Sequence, residues 1–115
     1  MNVSKISTST AEHYIWGQDC DGWHLVKNRQ LSVIEERMPA GSAEGRHFHR
    51  RAQQFFYVLA GQAIMEVDGR RVVLTTGEGI WIPAGSSHQL QNHADKEVHF
   101  LVISQPPSHG DRENT

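Results

Sequence analysis

Short runs of β-branched and aromatic residues, each closed within a few positions by a turn signal, leave this chain little choice but sheet. Leu25-Val26, Leu31 to Ile34, Phe55 to Leu59, Ala63 to Val67, Val72 to Leu74, Gly79 to Ile82 and Val98 to Ile103 are such runs. Between Val67 and Val72 stands Asp68-Gly69, a two-residue hairpin signal, because glycine accepts the positive φ that such a turn demands. Met38-Pro39-Ala40-Gly41 and Ile82-Pro83-Ala84-Gly85 each place proline second and glycine fourth, the order a type I turn prefers. No stretch of helical length repeats its apolar residues with the period of a helix. Many short strands in a chain of 115 residues predict an all-β sandwich or barrel.

That length suits a single domain over residues 1–115, with one modest core. The ends, 1–12 and 105–115, are polar or rich in Pro, Gly and charge, and are expected to be loosely held. A net charge of −2 supplies no basic field for nucleic acid and no cationic face for a membrane. No window is apolar enough to span a bilayer, and the N-terminus lacks the apolar centre of a signal peptide. A lone cysteine, Cys20, allows no internal disulfide, so a cytoplasmic location is expected.

Histidine is out of proportion, with eight residues. His47-Phe48-His49 is the informative pair, because side chains two apart on a strand leave the same face. His88 follows the second Pro-Ala-Gly turn and starts a further strand, so a third imidazole could converge on the pair. Gln54 is an odd number of residues beyond His49 and would face away from it on an unbroken strand. A turn through Arg50-Arg51-Ala52-Gln53 would put Gln54 on a neighbouring strand, facing back. Three imidazoles and an amide oxygen would hold a divalent ion with positions left open, as catalytic sites do. A solvated pair of loop histidines is the plainer alternative for the His-x-His pattern alone.

The longer pattern around these residues resembles the cupins, small double-stranded β-helix (jelly-roll) barrels. Their first motif is glycine, five residues, His-x-His, three or four residues, glutamate, six residues, glycine. Residues 41–61 match it from Gly41 through His47 and His49 to Gly61, with Gln54 where the family usually has glutamate. The second motif is glycine, five residues, Pro-x-Gly, two residues, histidine, three residues, asparagine. Residues 77–92 match it throughout, at Gly77, Pro83, Gly85, His88 and Asn92. The resemblance implies that His47, His49 and His88 are metal ligands; Gln54, at the place of the family's glutamate, is the expected fourth, and three histidines alone are the alternative. The ion it implies is a divalent transition metal: Zn, Mn, Ni, Fe or Cu.

Gln54 sets the expected chemistry. An ion held by neutral ligands alone keeps its full charge in the site and attracts anionic oxygen ligands more strongly. The leading expectation is a metal-dependent enzyme of isomerase, cyclase or lyase type. Its substrate would be small and oxygen-rich: sugar-like, keto or enolate, and preferably anionic. A metal-dependent dioxygenase and a non-enzymatic sugar-binding or sensor module are the alternatives. Small cupins that open unsaturated uronates share the His-x-His, Gln, His set, but the acidic residue they carry after the last ligand falls at Ile103 here. That activity is therefore not carried over.

His99 could face either side of its strand, and the outer face is expected. Arg50-Arg51 is expected to be a solvated turn, and His13, His24, His93 and His109 surface residues. Trp16, Trp23 and Trp81 are expected in the core or at a subunit interface. So small a barrel, with open sheet edges, is expected to form a homodimer.

Overall fold

The computed structural model describes residues 3–115; Met1 and Asn2, part of the end expected to be loose, lie outside the described residues. Among the described residues the chain forms strands and no helix. In chain order they are β1 (Glu12–Trp16), β2 (Cys20–Lys27), β3 (Ser32–Met38), β4 (His47–His49), β5 (Gln53–Ala60) and β6 (Gln62–Val67). Then follow β7 (Arg70–Thr75), β8 (Gly79–Ile82), β9 (His88–Gln91), β10 (Val98–Gln105) and β11 (Arg112–Asn114). Among the described residues no helix is long and apolar enough to cross a membrane.

Two antiparallel sheets face each other as a jelly-roll barrel, one in the order β1-β2-β3-β10-β5-β8, the other β11-β4-β9-β6-β7. The alternation that marked the strands also sorts their faces. Val98, Phe100, Val102 and Ser104 of β10 point inward, as do Gln54, Phe56 and Val58 of β5. With Met38, Met65, Leu74, Ile82 and Leu90 they build the core. It fills one end of the barrel; the other end, lined by polar side chains, stays open.

The turn chemistry is confirmed in part and corrected in part. Asp68 and Gly69 both have positive φ, 47° and 84°, as a type I′ hairpin requires, and Val67 pairs with Arg70. The Pro-Ala-Gly turns sit one residue later than expected. Ser42 N donates to Pro39 O and Ser86 N to Pro83 O, so Gly41 and Gly85 occupy the third position at φ 77° and 88°. Positive φ at that position belongs to type II turns, not type I.

The loose C-terminal end is also corrected. β10 runs to Gln105, and β11 pairs with β4 in the register Arg112↔His49 and Asn114↔His47. Asp111, buried, accepts the backbone N–H groups of Arg50, Arg51 and Ala52 at 3.1, 2.9 and 2.9 Å. Three donors that the β4–β5 turn would leave unpaired are thus satisfied by one carboxylate, which holds it well below the usual carboxylate range. Likewise β1 starts at Glu12, inside the stretch expected to be loose, because it can pair with β2.

Backbone bonds join the two motifs. Gly85 N donates to His49 O at 2.7 Å, Gly41 N to Asn92 O at 2.9 Å, and Asn92 N to Ser42 O at 2.8 Å. The Asn92 amide, fully buried, also donates to the carbonyls of Met38, Pro39 and Lys96. Replacing it strands several buried carbonyls at once, so Asn92→Ala should cost about 2–4 kcal/mol of unfolding free energy. Urea denaturation read by far-UV circular dichroism checks this; a loss within experimental scatter would mean that the tie is redundant.

Candidate metal centre

The site forms where β4 and β9 pair inside the barrel and β5 faces them from the other sheet. His47 and His88 are direct cross-strand partners, and His49 lies two residues along the same face. All three are buried, and their ligand-type nitrogens lie within 4.8 Å of one another. Gln54 enters from β5, which the Asp111-capped turn sets on the opposite sheet. The bend falls at Arg50–Ala52, one residue short of the turn expected through Gln53, which already belongs to β5.

Hydrogen bonds decide which ring atoms remain free. His47 Nδ1 lies 2.7 Å from Gly45 O and His88 Nδ1 3.0 Å from Ser86 O. A carbonyl can only accept, so each Nδ1 carries the proton and each Nε2 keeps its lone pair for the cavity. His88 Nε2 is buried without a partner, as is Nδ1 of His49. Gln54 Nε2 donates to Ser104 Oγ at 3.0 Å, which turns Oε1 the other way, buried and also unpartnered. Buried acceptors left unsatisfied are costly, and such acceptors on and beside a cluster of three imidazoles suit a cation. Burial lowers the basicity of all three imidazoles, His47 to about 4, so they stand neutral, the form that coordinates. The residues fit a divalent metal, and His47, His49, His88 and Gln54 could hold it.

A cavity of about 250 Å³ opens in front of His47, His49 and Gln54, and it contains groups not expected from the sequence. Glu36 of β3 and Glu44 of the β3–β4 loop line it, with Tyr14 of β1 and Arg112 of β11. Burial pushes Glu36 up to about 7; Glu44 rises to about 8, through burial first and then the charge of Glu36. Glu44 Oε1 accepts Leu90 N–H, and Glu36 Oε2 accepts the phenol of Tyr14 at 2.9 Å. Tyr14 reaches across a whole strand. It registers with Gly22, which registers with Glu36, and a Cβ on Gly22 would come 2.1 Å from the Tyr14 ring. The glycine leaves the gap that the phenol crosses. One sequence signal pointed to Glu36: it keeps the phase of Ile34 and Met38 on the inner face of β3. Glu44 had none, because its loop has no alternation to read.

The remaining candidates lie elsewhere. His99 faces outward beside Glu97 and Glu35. His13 pairs with Asp21, and His93 is exposed. His24 and His109 line an outer chamber together with Arg51, whereas Arg50 pairs with Glu113. Trp16 packs against the core, and Trp81 lies on the outer face of β8 with its indole N–H on Gln53.

Residues 34–104 match the cupin domain family, and the chain belongs to it. It is 30% identical over 91 residues to an uncharacterized protein of Methanocaldococcus jannaschii, covering 78% of this chain and 73% of that one. It is 27% identical to the oxalate-binding protein of Thermotoga maritima (68% of this chain, 64% of the other). Against quercetin 2,3-dioxygenase of Bacillus subtilis the identity is 33%, over 64% of this chain and 22% of that enzyme. The fold is shared with the polyketide cyclase RemF of Streptomyces resistomycificus, with TM-score 0.83, 20% identity, and coverage of 99% and 86%. A sugar phosphate isomerase of the cupin superfamily from Silicibacter pomeroyi gives 0.79 at 21% identity, covering 90% and 76%. These relatives differ in chemistry, so the family alone does not select a reaction.

The raised glutamates carry a stability signature. Between about pH 4.5 and 8 the folded chain holds protons on Glu36 and Glu44 that the unfolded chain has released, so stability falls as pH rises through that window. Glu44→Gln removes one of these groups while keeping an oxygen for Leu90 N–H. The variant should melt about 2–5 °C above the parent at pH 8 and close to it at pH 4.5. Differential scanning calorimetry at both pH values checks this; an equal shift at the two would contradict the assignment.

Proposed function

We propose that this protein is a metal-dependent enzyme in which His47, His49, His88 and Gln54 hold a divalent transition ion: Zn, Mn, Ni, Fe or Cu. Its reaction would be of isomerase, cyclase or lyase type, on a small sugar-like, keto or enolate substrate. The carrying observation is the set of unpartnered buried acceptors, above all Gln54 Oε1, opposite two carboxyls that titrate near neutrality. When bound, the ion supplies a Lewis acid that polarises a carbonyl or holds an enolate.

The chain's own residues supply the proton traffic. A carboxyl of pKa about 7 beside one of about 8 lets one group accept a proton while the other still holds one at neutral pH. Tyr14 fixes the orientation of Glu36, and Leu90 N–H that of Glu44. Arg112, which donates to Gly45 O beside the ligand strand, places a guanidinium at the same cavity for an oxyanion. A binding module without turnover would have no use for two raised carboxyls, and this favours the enzyme. The relative quercetin 2,3-dioxygenase keeps an oxygenase reading as the alternative.

Metal analysis of protein purified without chelator tests the site. His47→Ala with His88→Ala should abolish the metal, and Gln54→Glu should retain it about tenfold or more tightly while slowing turnover. Metal retained by the double variant would remove the ligand assignment. Oxygen consumed with β-diketones, flavonols or enediols would move the reading to the oxygenase.

The proposal includes a cytoplasmic homodimer. Cys20 is buried and unpaired, and the outer face of β5 and β8 leaves Phe55 38% and Trp81 59% exposed. Sedimentation velocity should give a dimer for the parent and a monomer for Trp81→Arg; a monomeric parent would contradict it.

A further inference from the structure

A second chamber lies directly outside the metal cavity. Its volume is about 930 Å³, and Tyr14, Ile34, Ser108 and His109 line both spaces, so the two adjoin. The two chambers differ in charge. The inner one holds Glu36 and Glu44 with a single guanidinium, Arg112; the outer is lined by Lys27, Arg29 and Arg51 and by no carboxylate. Lys27 already engages Glu12 at 3.3 Å. Among the described residues neither Arg29 nor Arg51 forms a salt bridge, although the charge of Arg51 is felt by Asp111; the chain carries thirteen Asp and Glu against eleven Lys and Arg. Ile34, Pro106 and Pro107 give the outer chamber an apolar wall, and Tyr14, Ser108 and His109 stand with Ile34 where the two spaces meet.

We propose that the outer chamber binds the tail of an elongated substrate: an apolar body ending in an oxyanion, held by Arg29 and Arg51 while the oxygen-rich head enters the inner cavity. The part of this inference that concerns the head rests on the metal reading above. The tail site stands on charge complementarity and on the shared lining. The inner cavity alone would suit a head of a few heavy atoms. The outer chamber, several times larger, is roomy enough for the hydrocarbon or aromatic body of a drug-sized acid. Arginine is suited to the tail, since its fork meets a carboxylate or phosphate with two parallel hydrogen bonds. A protein of net negative charge gains a local cationic entrance in this way, and binding through it weakens as salt is added.

The test is calorimetric titration of the metal-loaded protein with β-diketones whose alkyl chain ends in carboxylate, phosphate or a neutral methyl ester. A charged tail should bind about tenfold or more tightly than its ester. In Arg29→Gln/Arg51→Gln that preference should fall to about unity, and in the parent it should shrink in high salt. The carboxylate and phosphate arms show which oxyanion fits better. Acetylacetone, a head without a tail, reports on the metal: binding that persists in the His47→Ala/His88→Ala variant would overturn the metal reading and leave the tail site standing. Hexanoate and hexyl phosphate lack the chelating head and should bind weakly with or without metal, and only while the two arginines are present. Equal affinity for acid and ester, a preference that survives the double arginine variant, or no binding of either headless anion would each overturn the proposal.

Discussion

The barrel works as a site because hydrogen bonds join two stretches of chain that sequence keeps far apart. The donation from Gly85 N to His49 O brings the second Pro-Ala-Gly turn against the ligand strand, so that β9 starts with His88 opposite His47. Asn92 closes the other end of the same pairing against Gly41, Ser42 and the carbonyls around Met38. Without these ties three imidazoles would have to be buried together, each losing hydration, with little to oppose their separation. With them the rings are held in a neutral, lone-pair-inward state before any ion arrives. Such preorganisation is what a metal site of neutral ligands would require, since none of the candidate ligands is a carboxylate that could draw the ion in by charge.

The sequence was legible wherever a strand carries its own alternation. β5, β6, β8 and β10 are apolar on one face and were read nearly to their ends. His47, His49, Gln54 and His88 were singled out by strand phase and one turn together with their places in the two cupin motifs, since the His-x-His pair alone also fits a solvated loop. β1 and β11 were not, for a common reason: Glu12–Trp16 and Arg112–Asn114 bury little surface of their own and become strands only by pairing with β2 and β4. The tail from Gln105 was misread because proline, glycine and charge look like disorder when the partner of Asp111, a ring of backbone N–H groups, has no signature in side chains. Glu36 and Glu44 were missed because glutamate in a strand or loop is normally a solvated residue, and only the assembled barrel shows both facing a cavity.

Charge in this molecule is arranged radially. Neutral nitrogen and oxygen acceptors occupy the centre, two carboxyls of raised pKa and Arg112 lie beside them, and further cationic groups, Lys27, Arg29 and Arg51, stand outside. Each layer depends on an element from a different part of the chain: β4 and β9 at the centre, β3 and its following loop around them, and the β2–β3 loop with the β4–β5 turn outside. Loops could therefore change at the entrance and leave the centre intact. Relatives as different as a dioxygenase and an oxalate-binding protein are consistent with such a division between scaffold and rim.

The Asp111 cap makes the β4–β5 bend depend on a distant part of the chain. Its carboxylate accepts the N–H groups of Arg50, Arg51 and Ala52, and β11 beside it pairs with β4, so the strand that carries His47 and His49 is held on one edge by β9 and on the other by β11. Asp111 lines neither cavity, yet a substitution there would be felt at the bend that leads from the histidine pair to Gln54.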